Sequence, residues 1–374
     1  MSQTYDFNTI IDRVGTGSTK WSKYPPDVLP MWLADMDFAA APEIIEALKE
    51  RLTHPVLGYA VARDELREQI VDDLEQKYRW RIRPEDIVFM PGVEPGFNMA
   101  LKALLMAGDR LAIQMPAYHP ILAAPDTWGL QRVDLAVSLA EETDLSPLQR
   151  ADALLLCNPH NPTGKVYGVE ELRRIAGATA GKPIISDEIH CDLLFDGRVH
   201  TPIASLGEEI AQRTITLMSA SKSYNIAGLK TAFAIVENEA LRQRFNTSRL
   251  GMVDSVNLMG LEATLAAFRH AGAWKAEMIT YIEANRDYLA DAIARRFPGI
   301  RMNRPEATFL AWLDCSALGL DDPQRFFLER AKVGLSAGSE FGRAYRQFVR
   351  LNFGCPRATL EEALVRIEAA LANR

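Results

Sequence analysis

The sequence predicts an α/β protein. A large domain is built on a mainly parallel seven-stranded sheet sandwiched by helices, and a smaller α+β domain is drawn from both termini. Three observations carry this. Short apolar runs recur through the middle of the chain, helix-period stretches separate several of them, and after Asn257 the pattern changes. Strands covered on both faces read as continuous apolar runs, which is how strands of a helix-covered parallel sheet differ from half-exposed ones.

In chain order the expected strands are 86–90, 110–114, 131–137, 152–156, 183–187, 214–218 and 230–236, with helical stretches such as 96–106 and 169–178 among them. Beyond Asn257, residues 258–269 read as one helix. Residues 273–297 read as a longer one, with Trp274, Met278, Tyr281, Tyr288, Leu289 and Ile293 at roughly helical spacing. A strand at 308–314, a helix near 322–331 and a strand at 348–353 follow. The segment before Pro42 is rich in Pro and Trp and too short for a core of its own, so it is expected to pack on the C-terminal part. The expected division is a large domain over 42–275 and a small discontinuous one over 1–41 plus 276–374.

Composition narrows the function classes. The 374 residues, 48% hydrophobic and 24% charged, suit an ordinary globular protein of one large and one smaller domain. A net charge of −7 argues against a nucleic-acid partner, which usually calls for a basic surface. No apolar run is long enough to span a membrane, and the start, Met1-Ser2-Gln3-Thr4-Tyr5-Asp6, lacks the basic and apolar parts of a signal peptide. Cys157, Cys191, Cys315 and Cys355 are far apart and form no C-x-x-C pair. Reduced, mostly buried thiols in a cytoplasmic protein are therefore expected, with neither a disulfide framework nor a metal site.

Several chemistry-bearing segments follow expected strands directly, where ligands collect in open α/β sheets. Lys222 lies in Ser219-Ala220-Ser221-Lys222-Ser223-Tyr224-Asn225, with Lys230 a few residues on. Its amine is placed to form a Schiff base with a phosphorylated aldehyde, while Ser219, Ser221 and Lys230 hold the phosphate. Asp187 ends the run 183–187 and could pair with a protonated pyridine nitrogen. Asn158-Pro159-His160-Asn161-Pro162-Thr163-Gly164 is a rigid turn that would aim the Asn161 amide. Gly92-Val93-Glu94-Pro95-Gly96 opens a helix whose free N–H groups suit a phosphate. Tyr118, in Met115-Pro116-Ala117-Tyr118-His119-Pro120, could stack on a flat ring. Arg350 alternates with apolar neighbours on a strand and needs a partner, for which a substrate carboxylate would serve. Taken singly, each has a plain alternative: a surface lysine, a helix-capping Asp, a structural turn, a core tyrosine, an internal salt bridge.

Together and in this order, the segments resemble the pyridoxal-phosphate enzymes of fold type I, in the class I/II aminotransferase superfamily, and within it the MalY/PatB-type cystathionine β-lyase (C–S lyase) branch. The branch is carried by Lys23-Tyr24-Pro25-Pro26-Asp27-Val28-Leu29-Pro30-Met31-Trp32, Ala34-Asp35-Met36-Asp37-Phe38, His54-Pro55-Val56-Leu57-Gly58-Tyr59, Asp187-Glu188-Ile189-His190 and the stretch 348–357. The resemblance implies pyridoxal 5'-phosphate as cofactor, linked through Lys222. It implies that Asp187 meets the ring nitrogen, Asn161 the ring hydroxyl and Tyr118 the ring face. Ser219, Ser221, Lys230 and the Val93–Glu94 backbone would surround the phosphate. Tyr59 would reach it from a neighbouring subunit, in a homodimer with shared sites. Arg350 would bind the substrate α-carboxylate, with Asn161 and Tyr118 also meeting the substrate. The implied activity is cleavage of L-cystathionine or related L-cysteine S-conjugates to a thiol, pyruvate and ammonia. An aminotransferase and a non-catalytic regulatory protein on the same fold are the alternatives. Three positions depart from common patterns. His190 stands where many aminotransferases have a tyrosine, Lys230 where many relatives have arginine, and His119 where this branch commonly has proline.

Overall fold

The computed structural model describes residues 5–139 and 142–374; Met1–Thr4, on which the reading of the N-terminus partly rested, lie outside them. A short strand β1 (Leu29–Pro30) precedes the central sheet. That sheet comprises β2 (Ile87–Met90), β3 (Arg110–Met115), β4 (Gln131–Ala136), β5 (Ala153–Cys157), β6 (Ile184–Asp187), β7 (Thr214–Met218) and β8 (Ala232–Ile235). Every expected strand of the sheet is present, with ends moved by two residues at most. The order is β2-β8-β7-β6-β5-β3-β4. Only β8 runs against its neighbours, because the 219–231 loop turns back at the strand end instead of crossing over a face. β5, β6 and β7 are buried along their whole length, as their unbroken apolar runs require, whereas edge strand β4 alternates.

This topology decides where function can sit. The carboxyl ends of β2, β3, β5, β6 and β7 open on one edge of the sheet, and β8 starts there. The loops after those strands therefore converge.

The C-terminal part holds a second, antiparallel sheet. Its strands are β9 (Arg301–Met302), β10 (Leu310–Asp314), β12 (Ser336–Ala337) and β13 (Phe348–Asn352), in the order β12-β13-β10-β9. β1 pairs in parallel with β11 (Val333–Gly334). The long helix expected at 273–297 spans Gly272–Arg296 and buries Trp274, Met278, Leu289 and Ile293, leaving Tyr281 and Tyr288 only partly covered. One core cluster joins Phe7, Met31, Met36 and Phe38 to this helix and to Leu351, Phe353 and Leu360. The helix expected near 322–331 is two pieces, Pro323–Phe326 and a wider turn over Phe327–Ala331. No helix of the described residues is long and apolar enough to cross a membrane, and the four cysteines are free and buried.

Candidate active site

A cavity of about 390 Å³ lies at the converging strand ends, roofed by Leu33 and Ala34 of the segment 32–38. The roof is held by polar clasps. Asn225, in the left-handed region at φ 55°, accepts from the Met36 N–H and donates to the Met36 and Phe38 carbonyls. Asn352 donates to the Leu33 and Asp35 carbonyls from the end of β13. Asp37, buried, receives Lys20 Nζ at 2.6 Å, Arg13 at 2.6 Å and the Trp21 indole at 2.9 Å. These charge-assisted bonds compensate the cost of burying Lys20 and Asp37.

Lys222 follows β7, and its Nζ donates to the Ala34 carbonyl at 2.6 Å. Desolvation pulls this amine down to about 8, against the opposing pull of the Asp35 charge. Asp187, at the tip of β6, accepts from the Ile189 N–H at 3.2 Å. Burial pushes its carboxyl up to about 7, although the Ile189 N–H and Lys222 act the other way. A carboxyl so desolvated calls for a positive hydrogen-bond donor. His190 is pushed down to about 3 by burial, so its imidazole is neutral, and its Nδ1 has no partner among the described residues.

Arg350 reaches the cavity from the middle of β13. It donates to Asn161 Oδ1 at 2.9 Å, the Trp32 carbonyl at 2.9 Å and Ser336 Oγ at 3.3 Å, and lies 4.8 Å from the Phe341 ring centre. Among the described residues no carboxylate pairs with it, and its buried Nε is unpartnered. Burial lowers it to about 10. A buried guanidinium without an acid is an anion site.

The remaining wall suits a phosphate. Gly92, at φ 146°, caps the helix Val93–Leu104, so the helix N-terminus lies at the cavity. A Cβ on Gly96 would stand 2.4 Å from Met90 Sδ, so glycine lets this helix sit directly on the sheet. Ser219 Oγ donates to the Thr231 carbonyl at 2.7 Å and lies 2.8 Å from Ser221 Oγ. Lys230 lines the same end in a left-handed turn at φ 51°. Tyr118, half-buried at the start of the helix His119–Trp128, lines the side; burial raises its hydroxyl.

The structure thus gathers Lys222, Asp187, Asn161, Tyr118, Val93, Glu94, Ser219, Ser221, Lys230, His190 and Arg350 around one cavity. Tyr59 is not among them: it is 97% exposed and lies on a separate groove with His54 and Val56. Sequence reasoning passed over Leu33 and Ala34, which close the roof, and Cys157 at the end of β5. The clue to Cys157 was its place next to the Asn158 turn; Ala34 offers only a backbone carbonyl, which leaves no trace in residue type.

The donor set can be checked against a particular group. A planar pyridine aldehyde bearing a phosphate needs an amine, an anion for the ring nitrogen, a donor for a ring oxygen and an anion cradle. The cavity has each. Asn161 Oδ1 is occupied by Arg350, which leaves its Nδ2 as the donor for such an oxygen.

Residues 27–367 match the family model for aminotransferase class I and II. The chain belongs to that family. It is 35% identical to cystathionine beta-lyase PatB of Bacillus subtilis (strain 168), with 98% of this chain and 100% of that protein covered. Among solved structures it is similar to OvoB, at 43% identity and TM-score 0.94, with 99% of this chain and 100% of that one covered. It is also similar to cystalysin from Treponema denticola, whose structure contains pyridoxal 5'-phosphate. There the identity is 30% and the TM-score 0.95, again covering 99% and 100%.

Proposed function

We propose that the protein is a pyridoxal-phosphate-dependent C–S β-lyase that cleaves L-cystathionine or related L-cysteine S-conjugates to a thiol, pyruvate and ammonia. The observation that carries it is the meeting of the Lys222 amine, the desolvated Asp187 carboxyl and the acid-free Arg350 in one cavity. Full-length similarity to PatB and to cystalysin supports the same activity and cofactor.

When bound, the cofactor supplies an aldehyde for amine condensation and a ring that takes up electrons from the substrate Cα. The chain's residues do the rest. Arg350, held by Asn161, the Trp32 carbonyl and Ser336, grips the substrate carboxylate and so sets which Cα bond faces Lys222. Lys222, lowered to about 8, is in part a free amine near neutral pH and can take the Cα proton. Asp187 as an anion keeps the ring nitrogen protonated. Asn161 Nδ2 orients the ring oxygen, Tyr118 covers the ring face, and His190 is a neutral neighbour of the ring. Ser219, Ser221, Lys230 and the Val93–Glu94 N–H groups hold the phosphate. With a thiolate leaving group on Cβ, loss of the Cα proton leads to elimination.

A second copy of the chain completes the site in this reading, bringing Tyr59 to the phosphate. Exposed Val56, Leu57, Tyr59 and Val61 support it: an apolar stretch of this kind is characteristic of an interface. A two-part division at about residues 42 and 275 and a cytoplasmic location belong to the same proposal; the free buried thiols support the latter. The activity is tested by incubating the cofactor-loaded protein with L-cystathionine and no keto acid. Pyruvate release is expected; turnover that strictly requires a keto acid acceptor would instead make the protein an aminotransferase.

A further inference from the structure

Beside Asp187 the fold buries a second carboxyl that the reaction does not use. Ser186 and Glu188 share one face of the strand end and Asp187 takes the other. Glu188 is fully buried and does not line the cavity. Its Oε1 accepts from Ser186 Oγ at 2.8 Å and from the Ile203 N–H at 3.2 Å. Its Oε2 lies 2.6 Å from Nε2 of His200, itself buried, with the Tyr78 ring edge-on at 5.5 Å. His200 Nδ1 has no partner among the described residues.

Two adjacent buried carboxylates repel, and each needs its own countercharge. Lys222 faces Asp187. For Glu188 the structure offers His200. Because Oε1 already accepts two hydrogen bonds, the proton of the pair lies between Oε2 and Nε2. His200 is the group against Oε2 that can carry a positive charge. Without it, the segment carries a buried charge directly beside the residue that must itself be the anion.

We infer that His200 is a positioning residue for Asp187: it balances the charge of Glu188 and so leaves Asp187 free to be the anion that meets the cofactor's ring nitrogen. This rests on the role of Asp187 given above. Burial pushes Asp187 up to about 7, the Ile189 N–H opposes this, the Glu188 charge adds to it and Lys222 opposes it. The other groups around it are quiet. Burial keeps Tyr118 and Cys157 protonated and His190 neutral. Arg350 and Lys230 line the same cavity and form no ion pair with Asp187 among the described residues. Glu188 is therefore the charge that a change at His200 releases.

The test reads cofactor retention in the holoenzyme, by visible absorbance and by the apparent Kd for pyridoxal phosphate over a series of pH values. His200→Gln keeps a donor for Glu188 but removes the countercharge. The pH at which cofactor is lost on the acid side then rises by about one unit, or roughly tenfold weaker binding at a fixed pH below that point. Adding Glu188→Gln removes the stranded charge and returns the midpoint to that of the wild type. An unmoved midpoint in His200→Gln, or an equal rise in the double variant, overturns the inference. Should His200→Gln not fold, Glu188→Gln alone decides: an unchanged midpoint supports it, and a lowered one, the mark of a Glu188 charge that was never balanced, overturns it. Asp187→Asn separates the two levels. If its pH profile matches the wild type, the role of Asp187 itself fails; if it removes the acid-side transition while His200→Gln moves nothing, only the role of His200 fails.

Discussion

Lys222→Ala removes the amine proposed to bond the cofactor aldehyde, so visible absorbance and turnover are both expected to be lost while the fold survives. Absorbance and far-UV circular dichroism on the same sample check this. If Arg350 binds the substrate carboxylate as proposed, Arg350→Ala removes its donor, and a rise in KM worth roughly 1.5–3 kcal/mol is expected from loss of a charged hydrogen bond. Asp187 gives a pH signature in the cofactor-free protein. Its folded value, about 7, lies above its unfolded one. The folded state thus holds the extra proton between the ordinary carboxylate range and neutrality, and stability falls as pH rises through that window. Asp187→Asn removes this loss, so the melting temperature gained over the wild type is larger at mildly alkaline pH than at acid pH. The meeting of these residues at one cavity was legible because Lys, Asp and Arg stood just after, or within, readable strands. Their supports were less so. Asn225 and Asn352 act through backbone carbonyls of residues nearly two hundred or more positions away, and His200 meets Glu188 only once the 191–199 loop has folded back.

At the scale of elements, the central strands were the clearest part of the sequence, since burial on both faces demands unbroken apolar runs. Helices with narrow stripes were harder. Asp64–Tyr78 buries only Leu66, Ile70 and Leu74 among many charges, and Arg357–Ala372 gives a similarly diluted signal. The widened turn at Phe327–Ala331 follows from packing and has no local code. The Asn158–Gly164 turn shows how elements are tied. A Cβ on Gly164, at φ 71°, would meet Pro305 Cβ at 2.4 Å and the Ala307 carbonyl at 3.0 Å. Asn303 donates to the Thr163 carbonyl, and the Glu306 and Ala307 N–H groups donate to that of Gly164. Gly164→Ala is therefore both strained and crowded. A loss of about 1–3 kcal/mol of stability is expected from overpacking, with KM raised more than kcat is lowered, because the same turn carries Asn161 onto Arg350. Thermal melts and steady-state kinetics report the two effects.

For the whole molecule, the proposed sharing of sites between two copies is tested by a mixing experiment. In a mixed dimer of Lys222→Ala and Tyr59→Ala chains, one site carries both changes and the other neither. Activity is expected to return when the two inactive or weakened proteins are unfolded and refolded together; if it does not, Tyr59 acts within its own chain or not at all. The sheet and its cavity were readable from sequence, whereas how the chain's beginning closes over them was not, since that depends on backbone carbonyls and on the buried Lys20–Asp37 pair. The roof over Lys222 has a temporal consequence. Its clasps are Asn225, Arg350 and Asn352, and the last two lie far downstream of Lys222 in the chain. During synthesis the lysine and its surrounding strands exist long before the lid above them can lock. A nascent chain still short of β13 would carry a reactive amine under an unfastened cover, and competence arrives only once Arg350 and Asn352 have emerged.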